Sequence, residues 1–77
     1  RGGVLMTRTF GIANLHGAWE AGELLDGSWW AYHHEGRHST KTGASSALRC
    51  VLGRMAYPVP HPIPIIDIDP RTLRVRE

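Results

Sequence analysis

The chain is most informative first through what it lacks. Cys50 is the only cysteine in 77 residues. No intramolecular disulfide can form, so a stapled secreted scaffold is excluded. Without a Cys-x-x-Cys pair or a His-Glu-x-x-His helix, the sequence shows no recognised zinc signature. No apolar run approaches the ~20 residues that span a bilayer. "RGGVLM" carries one positive charge and no long apolar region, which does not make a secretory signal. The expected location is therefore cytoplasmic, with no membrane partner. The same "RGG" lacks the strand-to-helix context of a phosphate loop. Nothing brings Cys50 to a histidine as a nucleophile–base pair, and Asp67 and Asp69 have arginine partners close by in sequence. The chain is expected to be neither an enzyme nor a cofactor binder.

What is present is small and mildly basic. At this length a single domain is expected, and folding buries only ~60% of the chain's surface. The net charge is +2, and eight arginines stand against one lysine, Lys41. Arginine suits phosphate and carboxylate contacts through its planar fork of donors. The charge is unevenly laid out. His33 to Arg54 holds four arginine or lysine residues and one acid, a net of +3, whereas Glu20, Glu23 and Asp26 precede it. A basic middle favours an anionic partner.

Local patterning predicts an α+β fold: a small antiparallel sheet of three to four strands packed on one helix, then a proline-rich strap and a C-terminal β-hairpin. Residues 1–5 are expected to be loose, 6–57 to form sheet plus helix, 58–64 the strap and 65–77 the hairpin. "MTRTFGIANL" reads as a strand with Phe10 and Ile12 on one face. A second strand is expected over Ala18 to Leu25, though Leu15, Trp19 and Leu25 also fit a helix face. Asp26-Gly27 tolerates positive φ and should turn into the next strand, "SWWAYHH". A turn at Glu35-Gly36 would return the chain as "RHSTKT". Thr42 is placed to cap a helix over Ala44 to Ala56. Ala44, Ala47, Leu48, Val51, Leu52 and Met55 would form its apolar stripe. Prolines at 58, 60, 62 and 64 impose an extended path. Asp69-Pro70-Arg71-Thr72 fits a type I turn. Ile66, Ile68, Leu73 and Val75 alternate, and Asp67 and Asp69 can offset Arg74 and Arg76 across the strands.

A two-residue turn at Glu35-Gly36 would set His33 opposite His38 and Trp30 opposite Lys41. Trp29, Ala31, His33, His38, Thr40 and Thr42 would then face the helix. The other face would carry Trp30, Tyr32, His34, Arg37, Ser39 and Lys41. Aromatic rings interleaved with cations can stack on bases while holding phosphates. Arg49 and Arg54 lie off the helix stripe and could add phosphate contacts. The plainer reading is that Trp30 and Tyr32 pack under the strap or the hairpin as core. His33, His38, Cys50 and His61 could be imagined around a metal, but the ligand spacing is poor and Cys50, beside the apolar stripe, is expected to act as a small hydrophobe.

"GSWWAYHHEGRHSTKTGASSALRCVLGRM" (residues 27–55) resembles the amino-terminal arm-binding, AP2-like domain of phage-type tyrosine integrases. The matching features are Gly27, Trp29 and Ala31, then Gly36 and Arg37, then Thr42 and Ala44 to Leu52. The resemblance implies a three-stranded sheet on one helix, with the sheet in the DNA major groove. It covers about a third of the chain. The recombinase catalytic region that usually follows is replaced by the proline segment and hairpin. The expected function is a small non-catalytic, phage or mobile-element DNA-binding protein. Trp30, Tyr32 and His34 would stack in the groove, while Arg37, Lys41, Arg49 and Arg54 hold phosphates of duplex DNA. The alternative is a protein-interaction module, such as a phage-encoded inhibitor or adaptor of a host protein, because aromatic and arginine side chains also build interface hot spots.

Overall fold

A computed structural model describes residues 8–76. The extension expected to be loose, residues 1–5, lies outside the described residues. The elements are β1 (Thr9–Leu15), β2 (Ala18–Leu25), β3 (Ser28–Ala31), α1 (Lys41–Arg54), β4 (Ile68–Asp69) and β5 (Arg74–Val75). They form one antiparallel, curled five-stranded sheet of order β1-β2-β3-β5-β4 with a single helix against it. This is a small α+β domain. No helix among the described residues is long and apolar enough to cross a membrane.

Two tight turns start the fold. Asp26 (φ 53) and Gly27 (φ 79) turn β2 into β3 as the sequence predicts, and His16 (φ 55) with Gly17 (φ 83) does the same between β1 and β2. Positive φ at both central residues matches the right-handed twist of the flanking strands. The turns fix the register, so that Gly11 faces Gly22, Phe10 faces Glu23 and Ala13 faces Glu20.

Alternation then gives β1 and β2 two buried sides. One side carries Phe10 and Ala21, which pack on Ala47, Leu48 and Leu52 of α1, with Tyr32, Tyr57 and Ile63 closing the cluster. The other carries Ala13, Leu15 and Trp29, packed on Ile66 and Ile68. Both faces are covered because the chain after α1 wraps round to the outer edge of β1. There Ile12 N–H donates to Pro64 C=O (3.0 Å) and Ile66 N–H donates to Ile12 C=O (2.9 Å). Gly11 permits this approach: a Cβ there would lie 2.7 Å from both Pro64 O and Ile66 Cδ1. Residues 58–64 form no helix or strand.

Several expectations are corrected. The strand "SWWAYHH" ends at Ala31, and His33–Glu35 makes a 3-10 turn. Glu35-Gly36 is therefore not a two-residue hairpin, and "RHSTKT" is not a returning strand. His38 rejoins the sheet alone, exchanging bonds with Trp19 (2.7 and 2.8 Å) rather than lying opposite His33. The helix starts at Lys41 instead of Ala44. Its cap is Thr40, whose Oγ1 accepts from Gly43 N–H (3.0 Å), rather than Thr42. It ends at Arg54, leaving Met55 exposed instead of in the stripe.

Trp29 faces the second core and not the helix, whereas Tyr32 sits on the helix side. Gly22 is the reason: the Trp29 indole lies where a Gly22 Cβ would be, 2.6 Å from Cζ2. The C-terminal hairpin pairs Ile68 with Val75 and Asp69 with Arg74, and Arg76 meets Asp67 at 3.2 Å. Its turn is longer than expected, because Leu73 N–H reaches back to Asp69 C=O (2.8 Å). Leu73 is consequently exposed and left-handed (φ 60) instead of joining the apolar alternation.

Candidate functional site

The two acids of β2 are buried on opposite faces, Glu20 at 6% and Glu23 at 4% exposure. A buried carboxylate must be paired or hydrogen-bonded, and each has a cation and an aromatic donor. Glu23 accepts from Arg8 Nε and Nη2, both at 2.7 Å, and from Tyr32 OH at 3.1 Å. The Arg8 guanidinium also lies 4.8 Å from the Phe10 ring centroid. The hydrogen bonds from Arg8 hold the Glu23 carboxyl below the usual range against the opposing effect of burial, with Tyr32 adding to the lowering. Burial, then the Glu23 carboxylate, pushes the Tyr32 hydroxyl up to about 12. Glu20 accepts from Trp29 Nε1 (3.0 Å) and pairs with Arg37 Nε (3.2 Å), while Arg37 Nη2 also donates to Leu15 C=O. These bonds tie the 33–40 segment to the ends of β1 and β2, which explains why the chain does not return as a strand beside β3.

The cations expected to grip phosphate are therefore unequal. Arg37 is held by Glu20, and Arg54 by Glu35, which also lies 3.5 Å from His34 Nε2. Lys41 Nζ sits 5.8 Å from the Trp19 ring centroid. Arg49 is exposed on α1 with no ion pair among the described residues. Tyr32 is half-buried, its ring 6.0 Å from exposed His34. These residues do not form one continuous aromatic and basic sheet face, because Arg37 to Lys41 are not in a strand. Sequence reasoning missed Arg8, Glu20 and Glu23 as a structural set. The available signal was the place of Glu20 and Glu23 in "AWEAGELL", a strand expected between two hairpin partners and so central in the sheet.

Trp30 is different. It is 60% exposed. It shares the sheet side of Glu23, its partner across β2, but α1 packs chiefly on β1 and β2. Beside it runs an open groove of about 450 Å³ between β3 and the 70–73 turn, lined by Trp29 to Ala31, His33, Thr72 and Leu73 among others. Among the described residues no carboxylate lines it. Leu73 is 45% exposed. A smaller hollow of about 160 Å³ lies by Arg8, Tyr57 and the prolines. Among the described residues, no group of three or more His, Cys, Asp or Glu side chains is placed to hold a metal ion.

No protein-family model matches this chain, and no curated protein or solved structure does so either.

Proposed function

We propose that this chain is a non-catalytic protein-interaction module whose contact surface is Trp30 and the groove beside β3. The observation that carries this reading is the pairing of a largely exposed tryptophan with an exposed, left-handed Leu73 on one groove. A leucine at positive φ is strained, and strain clusters at binding sites. Tryptophan is among the residues most enriched at interface hot spots. The proposed setting is cytoplasmic, which suits the exposed free thiol of Cys50. A phage inhibitor or adaptor acting on a host protein is one such role.

Duplex DNA is the second reading, supported by exposed Arg49 and Lys41 on α1. It is the weaker one because Arg37 and Arg54 are occupied by carboxylates, and a phosphate contact at either would have to displace its acid.

The test compares the parent with Trp30→Ala and with a Lys41→Ala/Arg49→Ala double variant. Each is measured against peptides selected on the parent from a random display library, and against duplex DNA at two salt concentrations. The expected result is selected peptides that bind Trp30→Ala at least about tenfold more weakly, with duplex binding weak throughout. Steeply salt-dependent duplex binding that the double variant loses, with no Trp30-dependent peptide, would overturn the proposal in favour of DNA.

A further inference from the structure

We infer that the open edge of β3 takes up an extended peptide segment as an added strand, with an apolar side chain against Trp30 and an acidic residue near Arg71 and Arg74. This inference rests on the interaction-module reading and names its class of partner.

The backbone argument comes first. Tyr32 N–H donates to Ala21 C=O on β2 (2.8 Å), so alternation directs Trp30 toward β2 and aims the main-chain groups of Trp29 and Ala31 the other way. On that side Trp29 N–H meets Leu73 C=O (2.7 Å). Beyond this bond no strand among the described residues occupies the lane beside β3. Ser28 is the only β3 residue paired with β5. The chain leaves the lane at Leu73, whose left-handed backbone and bond back to Asp69 carry it into the turn. The Trp29 carbonyl and the Ala31 N–H and carbonyl thus have no protein partner among the described residues. An extended segment supplies what these groups lack, a matching row of donors and acceptors.

The charge around the lane selects among such segments. Among the described residues the Arg74 guanidinium donates to neutral oxygens, Ser28 Oγ (2.9 Å) and the Asp26 carbonyl (3.1 Å). Neither Arg74 nor exposed Arg71 has an ion pair among the described residues. Among the described residues no carboxylate lines the groove, and an acid on the incoming strand is placed to meet Arg74, which bonds groove-lining Ser28, and exposed Arg71, next to groove-lining Thr72.

The experiment uses the whole chain and peptides selected on it from a random display library, resynthesised with N-methyl groups at alternate residues in either phase. Methylation removes the amide donors of one strand edge and leaves the side chains in place. Methylation in one phase should weaken binding by about tenfold or more and in the other phase leave it unchanged. The selected sequences should carry an acid at one end, and Arg71→Glu should weaken them. Loss of binding in Ala31→Pro, which deletes the edge donor, would add support where that variant folds; the methylated peptides decide the matter if it does not. Trp30-dependent peptides that tolerate methylation in both phases, or that bind as helices, would overturn strand addition while keeping the interaction-module reading. Absence of any Trp30-dependent peptide would overturn that reading as well. A concentration-dependent dimer that Trp30→Ala abolishes would give the edge to a second copy of this chain, against the inference. A basic consensus would contradict the assignment of Arg71 and Arg74.

Discussion

The outer edge of β1 and the far edge of β3 are finished differently. At β1 the outer edge is closed: Ile12 uses its N–H and its carbonyl on the 64–66 segment, and Gly11 lets that segment settle against the strand. At β3 the neighbour β5 covers only the start, and among the described residues no strand pairs with the edge beside Trp29 and Ala31. An open edge is a pairing hazard, normally blunted with lysine, proline or cover. β3, with the sequence SWWA, has neither lysine nor proline. The chain therefore covers one edge with its own backbone and leaves the other with free bonds, an exposed tryptophan and a groove. That difference is the ground for proposing β3 as the contact surface.

The adjacent tryptophans sharpen the contrast most strongly. Trp29 is 4% exposed and anchored to Glu20. Trp29→Ala should cost roughly 3–5 kcal/mol in a denaturant melt, enough to unfold a domain of this size under many conditions. Next is the closed edge itself. Gly11→Ala places a Cβ against Pro64 O and Ile66 Cδ1, and should lower stability by roughly 1–3 kcal/mol by pushing the covering segment away.

The polar anchor beneath β3 gives a pH test. The Glu23 carboxyl is held below its usual range, so the folded state releases that proton more readily than the unfolded chain. Its contribution is present above the unfolded value of about 4.3 and is lost as pH falls through the folded one. Glu23→Gln should flatten the acid limb of a stability-against-pH curve. Tyr32 behaves oppositely. Its stabilisation holds below the unfolded value of about 10 and is lost as pH rises toward about 12, so Tyr32→Phe should flatten the alkaline limb. Unchanged limbs in both variants would remove the Arg8–Glu23–Tyr32 set from the account of stability. The smallest effect belongs to the open side. Trp30→Ala should change the melt by no more than about 0.5 kcal/mol, the range of an ordinary surface substitution. A loss of several kcal/mol would instead make Trp30 a core residue.

Much of the scaffold was legible from local signals. The bounds of β2, the Asp26-Gly27 turn, the apolar positions Leu48, Val51 and Leu52, and the pairing of Arg76 with Asp67 follow from alternation, helical spacing and turn chemistry. The path from Tyr32 to Thr40 was not legible, because bonds distant in sequence set it: Arg37 to Glu20 and Leu15, and His38 to Trp19. The layer that covers Trp29, the 66–68 segment in place of α1, was missed for a related reason. Alternation sorts Trp29 and Trp30 onto opposite faces but does not say which face is covered. Here both faces are covered near β1, and only the side of β3 carrying Trp30 is left open. That depends on the length of β5 and on the backbone of Leu73, which the alternating pattern through Val75 placed in the core. The functional reading turned on Trp30 from the sequence onward, but the open edge beside it was visible only in three dimensions.

Amide hydrogen exchange read residue by residue tests the contrast between the edges most directly. In the free monomer, Ile12, Ile66 and Tyr32 amides should be protected, since each donates to a main-chain carbonyl, while Ala31 exchanges freely. On saturation with a selected peptide, Ala31 should become protected and Ile12 should not change. An Ala31 amide as slow as Ile12 in the free monomer, or one that stays fast with peptide bound, would contradict the open edge as the binding site.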